Sequence, residues 1–285
     1  MKIRGIIGIL SVFGMFGVFV SCSEWTDPEV MEQKVIRPDG QDPAAWAEYV
    51  SDVTAYKRSE HLLAYACLMN APETSTSERD FLRSLPDSLD IVSLQRTPSA
   101  GDLEDLPRMH ELGTRVLCPL LPGEDAAAVG NRARKQGFDG VALQAWTAPF
   151  ADLGATLAAL GEVGMVVYEG DPLQADPTYF DAFDLVVLPS WSLVFQADIE
   201  LLRDEALRAG IPADRLLLSA VPGGSWRDFR STKTDALTLG LRLSLPSGLP
   251  GFALYDIGQD YYHASGVNYQ VTRNFITRLA LTPKN

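Results

Sequence analysis

Short apolar runs alternate with amphipathic or alanine- and leucine-rich segments from about residue 60 to the end of the chain. Runs this apolar are typical of strands that are buried on both faces, as in a parallel sheet whose strands are joined by helices. We predict eight strands, which are His61–Asn70, Asp90–Arg96, Thr114–Leu121, Phe138–Trp146, Met165–Gly170, Leu185–Trp191, Arg215–Val221 and Gly251–Ile257.

Helical patterns fill most of the segments around these strands. A first helix is predicted to begin near Pro43 and to end near Lys57, and Ser77 is predicted to cap a helix before the second strand. The helices between strands and after the last strand are predicted at Ser77–Ser84, Asp102–Leu112, Glu124–Gln136, Pro149–Glu162, Pro177–Phe183, Phe195–Ala209, Asp228–Leu245 and Val267–Leu281.

Eight strand–helix units in about 225 residues predict a single-domain α/β fold, a (β/α)8 TIM barrel. Strict alternation requires parallel strands with helical crossovers. An open, doubly wound sheet is the alternative, and it would usually carry a glycine-rich phosphate turn after its first strand. Residues 70–73, which follow the first predicted strand, contain no glycine, and this favours the barrel.

The N-terminus predicts export. Lys2 and Arg4 precede an apolar run from residue 6 to residue 20, and Ser21 and Cys22 follow. A short basic region, an apolar core and a small residue are the parts of a secretory signal peptide, and a cysteine directly after the small residue resembles a bacterial lipoprotein processing site. We therefore predict lipidation of Cys22, with a plain signal peptide or an anchor helix as the alternatives.

The predicted organisation follows from these features. The signal peptide is predicted over residues 1–21, a polar lipidated tether over residues 22–45, and the barrel over residues 46–285. Acyl chains on a protein hold it on a membrane because each buried methylene contributes roughly 0.8 kcal/mol. We accordingly expect contact with the membrane through the N-terminal lipid.

Charge and cysteine content exclude other classes. The formal net charge is −13, and phosphate binding needs a basic face, so nucleic acid is not a predicted partner. The three histidines are not paired with cysteines, so no metal site and no cofactor are predicted. Cys67 and Cys118 lie inside predicted strands and are interpreted as free core thiols, with a disulfide as the alternative.

Candidate ligand contacts lie where predicted strands end, because the working face of a TIM barrel is formed at the carboxyl ends of its strands. Sugar rings present flat C–H faces that stack on aromatic planes, so aromatic side chains with amide and carboxylate neighbours predict a carbohydrate cleft. The predicted glycan-binding residues are Gln144, Trp146, Tyr168, Glu169, Trp191, Trp226, Tyr255 and Asp256. Met69, Asn70, Gln95 and Arg96 also follow predicted strands.

Three stretches carry a resemblance to a known family. They are the run at residues 84–94, the Phe-Asp-Gly run at residues 138–140, and the strand at residues 251–256 with two tyrosines, Tyr261 and Tyr262, after it. Together they resemble family 18 of the glycoside hydrolases, in the branch of lipid-anchored glycan-utilisation proteins that includes endo-β-N-acetylglucosaminidases and chitinase-like proteins.

The family's active-site pattern on the fourth strand is Asp-Gly-x-Asp-x-Asp-x-Glu. Asp139 and Gly140 match its first two positions, and the three later acids fall on Ala142, Gln144 and Trp146. In the family, the sugar's own acetamide attacks the anomeric carbon while the Glu protonates the leaving oxygen. General acid catalysis contributes roughly 10²–10⁴ in rate, and an indole cannot supply it.

The resemblance therefore implies the fold and the ligand class while predicting no catalytic residue. Our first hypothesis is a pseudoenzyme that binds N-acetylglucosamine-containing glycans, anchored as a lipoprotein on a bacterial outer membrane, at the cell surface or on the periplasmic face. The second is an active endo-glycosidase with a displaced acid, Glu169 or Asp256. The third is a structural subunit of an outer-membrane assembly, with outer-membrane glycan-uptake proteins as partners.

Overall fold

The computed structural model describes residues 38–283 with the exception of residues 73 and 76. The predicted signal peptide, the lipidation site Cys22 and most of the predicted tether lie outside these residues. The chain divides after Pro43 into two compact units, and of the first the model describes a helical turn, α1 (Pro38–Gln41). Among the described residues no helix is long and apolar enough to cross a membrane.

Eight parallel strands of the second unit close into a barrel in the order β1-β10-β7-β6-β5-β4-β3-β2. The strands are β1 (Leu63–Leu68), β2 (Ile91–Leu94), β3 (Arg115–Leu120), β4 (Gly140–Ala145), β5 (Met165–Gly170), β6 (Leu185–Val187), β7 (Leu216–Ala220), β8 (Ser225–Arg227), β9 (Lys233–Asp235) and β10 (Gly251–Leu254). The two remaining strands, β8 and β9, pair with each other as an antiparallel hairpin. The predicted TIM barrel is confirmed.

Helices surround the barrel. They are α2 (Pro43–Arg58), α3 (Ala100–Glu111), α4 (Ala126–Gln136), α5 (Leu153–Leu160), α6 (Gln196–Arg208), α7 (Ala236–Ser244) and α8 (Gln270–Leu281). Of these, α2 precedes the first strand and α8 follows the last, and the β1–β2 and β5–β6 connections contain 3-10 turns instead of an α-helix. Side chains cap several of them: Asp125 and Asp152 accept hydrogen bonds from the first turns of α4 and α5, and Gly137 ends α4 in the left-handed conformation. Such caps satisfy backbone groups that a helix cannot bond internally.

Alternate residues of each strand face opposite sides of the barrel wall. Tyr65, Cys67, Ala142 and Val167 pack together in a small inner core, whereas the residues between them pack outward against the helices in a larger outer core. Because the side chains of a strand alternate with period two, this division fixes the orientation of every neighbouring residue.

Aspartates close the amino-terminal end of the barrel. Asp90, Asp139 and Asp184 directly precede β2, β4 and β6, and their carboxylates accept the backbone N–H groups of Ala64, Val116 and Val166 on the preceding strands. Asp139 also bonds the ring of His110 at 3.0 Å. The first acid of the family pattern is thus a structural residue here, at the end of the barrel opposite the site.

Gly140 lets β4 approach β5 closely. A Cβ atom at this position would lie 2.0 Å from the backbone oxygen of Met165, a distance that no side chain can occupy. Close approach of two strands is a common reason for a glycine inside a strand.

Two predicted helices and one predicted strand are corrected by the structure. Residues 77–84 form two separate 3-10 turns, and the side chain of Ser77 makes no capping bond. The predicted helix at Asp228–Leu245 is helical only from Ala236, because the Asp228 carboxylate accepts the backbone N–H groups of Arg230 and Thr232 and turns the chain into the β8–β9 hairpin. The sixth strand ends at Val187, before a 3-10 turn that Pro189 begins.

Candidate functional site

A polar hollow of about 460 Å³ opens at the carboxyl ends of β1, β2 and β10. Its lining combines two guanidinium groups, two carboxylates and an amide with a few apolar atoms. The lining residues are Met69, Pro72, Arg79, Asp80, Arg96, Asp256, Gly258 and Gln259. Such a mixture of donors and acceptors suits a ligand that carries many hydroxyl groups.

Three aromatic side chains form a cluster at the ends of β4, β6 and β10. Trp191 and Tyr255 are stacked, with ring centroids 3.9 Å apart and planes 1° from parallel. Trp146 packs edge-on against both, at centroid distances of 6.3 Å and 5.4 Å. All three are partly exposed, so the cluster presents an aromatic surface at the barrel mouth next to Asp256.

A buried polar network lies beneath this cluster. The indole N–H of Trp146 donates to Oε1 of Gln95 at 3.1 Å, and Nε2 of Gln95 donates to Oε2 of Glu169 at 3.1 Å. The hydroxyl of Tyr65 donates to the other carboxylate oxygen of Glu169 at 2.7 Å, and the thiol of Cys67 lies 3.6 Å from that same oxygen. The network connects β1, β2, β4 and β5 through the barrel interior.

Among the described residues, no cation pairs with the carboxylate of Glu169. It is 0% exposed, and its neighbours in the network are neutral groups that can donate hydrogen bonds. Burial raises the pKa of Glu169, while hydrogen bonds from Ser93, Tyr65 and Gln95 partly oppose the rise. The ionised form is costly to bury, yet it is the form that accepts from every surrounding donor.

The inward-facing positions at the end of β4 hold no acid. Ala142 is fully buried in the inner core, and Trp146 packs against that core at the mouth. Gln144 lies between them, is 6% exposed, and its side-chain nitrogen donates to the backbone oxygen of Leu94 at 2.7 Å. The three positions that carry the acids of the family pattern thus face the barrel interior and the mouth.

Asp256 is one of two carboxylates at the mouth, together with Asp80. It lines the hollow, and its carboxylate accepts from Nε2 of Gln259 at 2.6 Å. Its backbone has φ +48°, in the left-handed region that non-glycine residues rarely adopt. Strained residues of this kind are frequent at ligand-binding sites.

Two predicted mouth residues lie elsewhere, which corrects their placement. Tyr168 faces outward from β5, is 1% exposed, and stacks on Phe183 with ring centroids 5.0 Å apart. Trp226 is 2% exposed in the outer core, and it lies on strand β8 where a loop was predicted. Of the remaining predicted residues, Trp146, Trp191, Tyr255 and Asp256 share the mouth, and Gln144 and Glu169 lie below it.

Several residues of the site were not predicted from the sequence. Arg79, Asp80 and Gln259 lie in the connections after β1 and β10 rather than at strand ends, and no local pattern marks them. Cys67 was predicted to be a free core thiol, and Tyr65 on the same strand was not singled out. Their role depends on a partner more than a hundred positions away, since Tyr65 and Glu169 are 104 residues apart.

Within residues 38–283, apart from 73 and 76, no group of three or more histidine, cysteine, aspartate or glutamate side chains could hold a metal ion. The two cysteines in this part of the chain, Cys67 and Cys118, are both buried free thiols. They face opposite sides of the barrel wall, because Cys67 belongs to the inner core and Cys118 to the outer core.

Part of the chain matches a known protein family. A family profile described as "Glycoside hydrolase family 18, BT1044-like" matches residues 26–114. The resemblance to glycoside hydrolase family 18 is confirmed. The matched residues end before β4, so the profile does not bear on the acid positions of that strand.

Solved structures share the barrel at low sequence identity. A structure of BT1044 superposes with a TM-score of 0.65 at 16% identity, covering 84% of this chain and 94% of that one. An endo-β-N-acetylglucosaminidase from Cordyceps militaris gives 0.58 at 15% identity, with 83% and 96% covered. A chitinase from Bacteroides thetaiotaomicron gives 0.57 at 10% identity, with 78% and 97% covered. No curated protein sequence matches the chain.

Proposed function

We propose that the protein binds N-acetylglucosamine-containing glycans at the barrel mouth and does not hydrolyse them. The observation that carries this proposal is the set of inward-facing residues at the end of β4. The methyl, amide and indole groups of Ala142, Gln144 and Trp146 cannot act as a general acid. The carboxylate on the neighbouring strand, Glu169, is 0% exposed and does not reach the mouth. A general acid must come within hydrogen-bond reach of the leaving oxygen.

The mouth retains what a sugar needs in order to bind. The cluster of Trp146, Trp191 and Tyr255 offers an aromatic surface, and the adjacent hollow offers carboxylate, guanidinium and amide groups for hydroxyls. The ligand class is suggested by the relatives that share the fold. A variant of the Cordyceps militaris enzyme was solved in complex with fucosyl-N-acetylglucosamine-Asn.

The binding test is calorimetry of the purified protein against chito-oligosaccharides and N-glycans. We expect binding of at least one glycan and a roughly tenfold loss of affinity in Trp146→Ala, because aromatic residues at the centre of an interface dominate its binding energy. Trp46→Ala is the matched control, since Trp46 is also partly exposed but lies on α2, where its indole N–H bonds Glu111. Failure of every glycan to bind the folded protein would refute the proposal.

A second candidate, an active glycosidase, is favoured by one feature, the carboxylate of Asp256, which lines the hollow from a residue whose backbone is in the strained left-handed region. Incubation of the same glycans with the protein, followed by mass spectrometry of the products, separates the two functions. Hydrolysis that disappears in Asp256→Asn would establish the enzyme and would overturn the pseudoenzyme proposal.

We also propose membrane anchoring through acylated Cys22, with the outer membrane as the site and glycan-uptake proteins as partners. The support is the order of the N-terminal residues, in which a basic start, an apolar run and Ser21 precede the cysteine. Metabolic labelling with a tagged fatty acid should mark the wild-type protein in a bacterial host and should not mark Cys22→Ser. Equal labelling of both proteins would contradict the assignment.

A further inference from the structure

Arg96 follows β2, and hydrogen bonds to Asn70 fix both its backbone and its side chain. Its backbone N–H donates to Oδ1 of Asn70 at 2.8 Å, and Nη1 of its guanidinium donates to the backbone oxygen of Asn70 at 3.0 Å. Asn70 is 0% exposed, and its own side-chain nitrogen donates at 2.8 Å to Asp102, which is also fully buried. Arg96 itself is exposed, so one edge of a solvent-facing guanidinium is fixed by a buried asparagine.

Among the described residues Arg96 forms no ion pair, whereas its neighbour Arg79 is bonded to Asp80 at 3.3 Å. One N–H group of the Arg96 guanidinium is held by Asn70, and its positive charge is not balanced by an ion pair. Such a guanidinium can bind an anion through two parallel N–H groups.

A second hollow beside Arg96 gives such an anion a place. It has a volume of about 560 Å³, and Arg96 is the one charged residue in the described lining. The lining residues are Ala71, Pro72, Arg96, Thr97, Pro98, Ser99 and Ala100. The proline rings and the hydroxyl of Thr97 suit the apolar face and the polar groups of a sugar unit.

The two hollows at the mouth differ in charge. The first is lined by the carboxylates of Asp80 and Asp256 and by the guanidinium groups of Arg79 and Arg96. In the described lining of the second, Arg96 is the one charged residue. They share Pro72 and Arg96 and therefore adjoin. A ligand that spans both would place hydroxyl groups against the carboxylates and a negative group on the far side of Arg96.

We propose that Arg96 and the hollow at Thr97–Ala100 form a subsite for an acidic sugar unit, which carries a carboxylate or a sulfate, in the glycan bound at the mouth. This inference rests on the proposed function and specifies the substrate class. The net charge of −13 is compatible with such a subsite, because salt screens exposed charges beyond about 8 Å at physiological ionic strength.

The test compares pairs of glycans that differ only in the acidic group. The probes are chito-oligosaccharides with and without 6-O-sulfate and N-glycans with and without terminal sialic acid, measured by calorimetry with the full-length protein. The quantity of interest is the ratio of the affinities within a pair. We expect at least one acidic member to bind about tenfold more tightly than its neutral partner, and high salt to reduce the ratio.

Variants then locate the interaction. Arg96→Gln should reduce the ratio to about one, and Arg96→Lys should retain part of it, because lysine keeps the charge but loses the planar fork. Arg58→Gln is the matched control, since Arg58 is exposed at the end of α2, just before β1 at the opposite end of the barrel. Thermal unfolding of each variant shows whether it is folded.

The outcomes are distinct. Equal affinities within every pair would overturn the subsite and leave glycan binding intact. A ratio above one that Arg96→Gln does not change would place the acidic group elsewhere and would also overturn the subsite. Absence of binding by every probe would refute the proposed function, and the subsite with it.

Discussion

The buried network under the mouth makes a sharp prediction for Tyr65→Phe. The substitution removes one hydroxyl and leaves the ring in place, and Tyr65 is 0% exposed. The lost group donates to Oε1 of Glu169 at 2.7 Å, and the thiol of Cys67 at 3.6 Å is the other donor to that oxygen. The variant therefore removes the shortest hydrogen bond that this fully buried carboxylate accepts.

The expected magnitude follows from the charge of the acceptor. A hydrogen bond to a charged group contributes about 1.5–3 kcal/mol, roughly twice the contribution of a neutral one. Tyr168→Phe is a matched control, because Tyr168 is 1% exposed on β5 and its hydroxyl lies 3.5 Å from the backbone oxygen of Asp171. The control should lose at most about 1 kcal/mol.

The pH dependence has a definite sign. Burial raises the folded-state pKa of Glu169 above its ordinary value of 4.5, so the folded protein binds this proton more tightly than the unfolded chain does. The stability that this group contributes is therefore greatest below 4.5 and falls as the pH rises through the folded-state pKa. Tyr65 stabilises the ionised form, so its removal should cost most at high pH and least where Glu169 is protonated.

The assay is thermal and urea unfolding of the wild type and both variants between pH 4.5 and pH 8. At pH 8, Tyr65→Phe should lower the melting temperature by about 3–12 °C, since 1 kcal/mol corresponds to about 2–4 °C in a domain of this size. Both phenols stay protonated throughout, because burial raises the pKa of Tyr168 to about 12 and that of Tyr65 well above its usual value. A loss that is independent of pH, or no larger than in Tyr168→Phe, would show that Glu169 is not a buried anion held by Tyr65.

Two further predictions concern the barrel wall. Gly140→Ala should destabilise the protein by more than about 3 kcal/mol in urea unfolding, because the new Cβ would lie 2.0 Å from the Met165 oxygen. In the control Gly137→Ala the new Cβ meets no atom within 4 Å, and the variant should lose only about 1–2 kcal/mol because of its positive φ. Similar losses in the two variants would contradict the close approach of β4 and β5. Iodoacetamide at pH 8 should modify neither Cys67 nor Cys118 in the folded protein, since both are 0% exposed and burial raises the thiol pKa of Cys118 to about 11. Peptide mass spectrometry should find both modified in guanidinium, and rapid modification of the folded protein would contradict their burial.

The sequence predicted the fold well because each strand is apolar on both faces. A run such as the one over β5 is recognisable without knowing its partners, and the predicted bounds Met165–Gly170 agree with the structure. The ends of other strands were predicted too long, since apolar residues continue past the last ladder bond. Residues 185–191 are an example, because pairing stops at Val187 and Pro189 begins a turn.

The same double burial explains why the placement of site residues was harder to predict. Tyr168 and Glu169 are consecutive, so one must face inward and the other outward, but both sides of β5 are buried and the sequence does not say which is which. The pairing of Glu169 with Gln144 decides it, because closure of the barrel turns this pair toward the interior. Trp226 was misplaced for a different reason, since the Asp228 turn that creates its hairpin has a polar sequence compatible with a helix start.

The position of the remaining acid gives the strongest argument for how this mouth works. Among the described strand residues that face the barrel interior, Glu169 is the one carboxylate, and it lies beside Gln144 on the neighbouring strand, one layer below Trp146. The indole of Trp146 is joined to Glu169 through Gln95, so the carboxylate helps to orient the aromatic surface and is covered by it. Because Glu169 is 0% exposed, its carboxylate does not reach the mouth, and it is connected to the aromatic cluster through the hydrogen bonds of Gln95. This arrangement supports the proposal that the mouth binds a glycan without hydrolysing it, because the one interior carboxylate of the described strands has no access to the mouth.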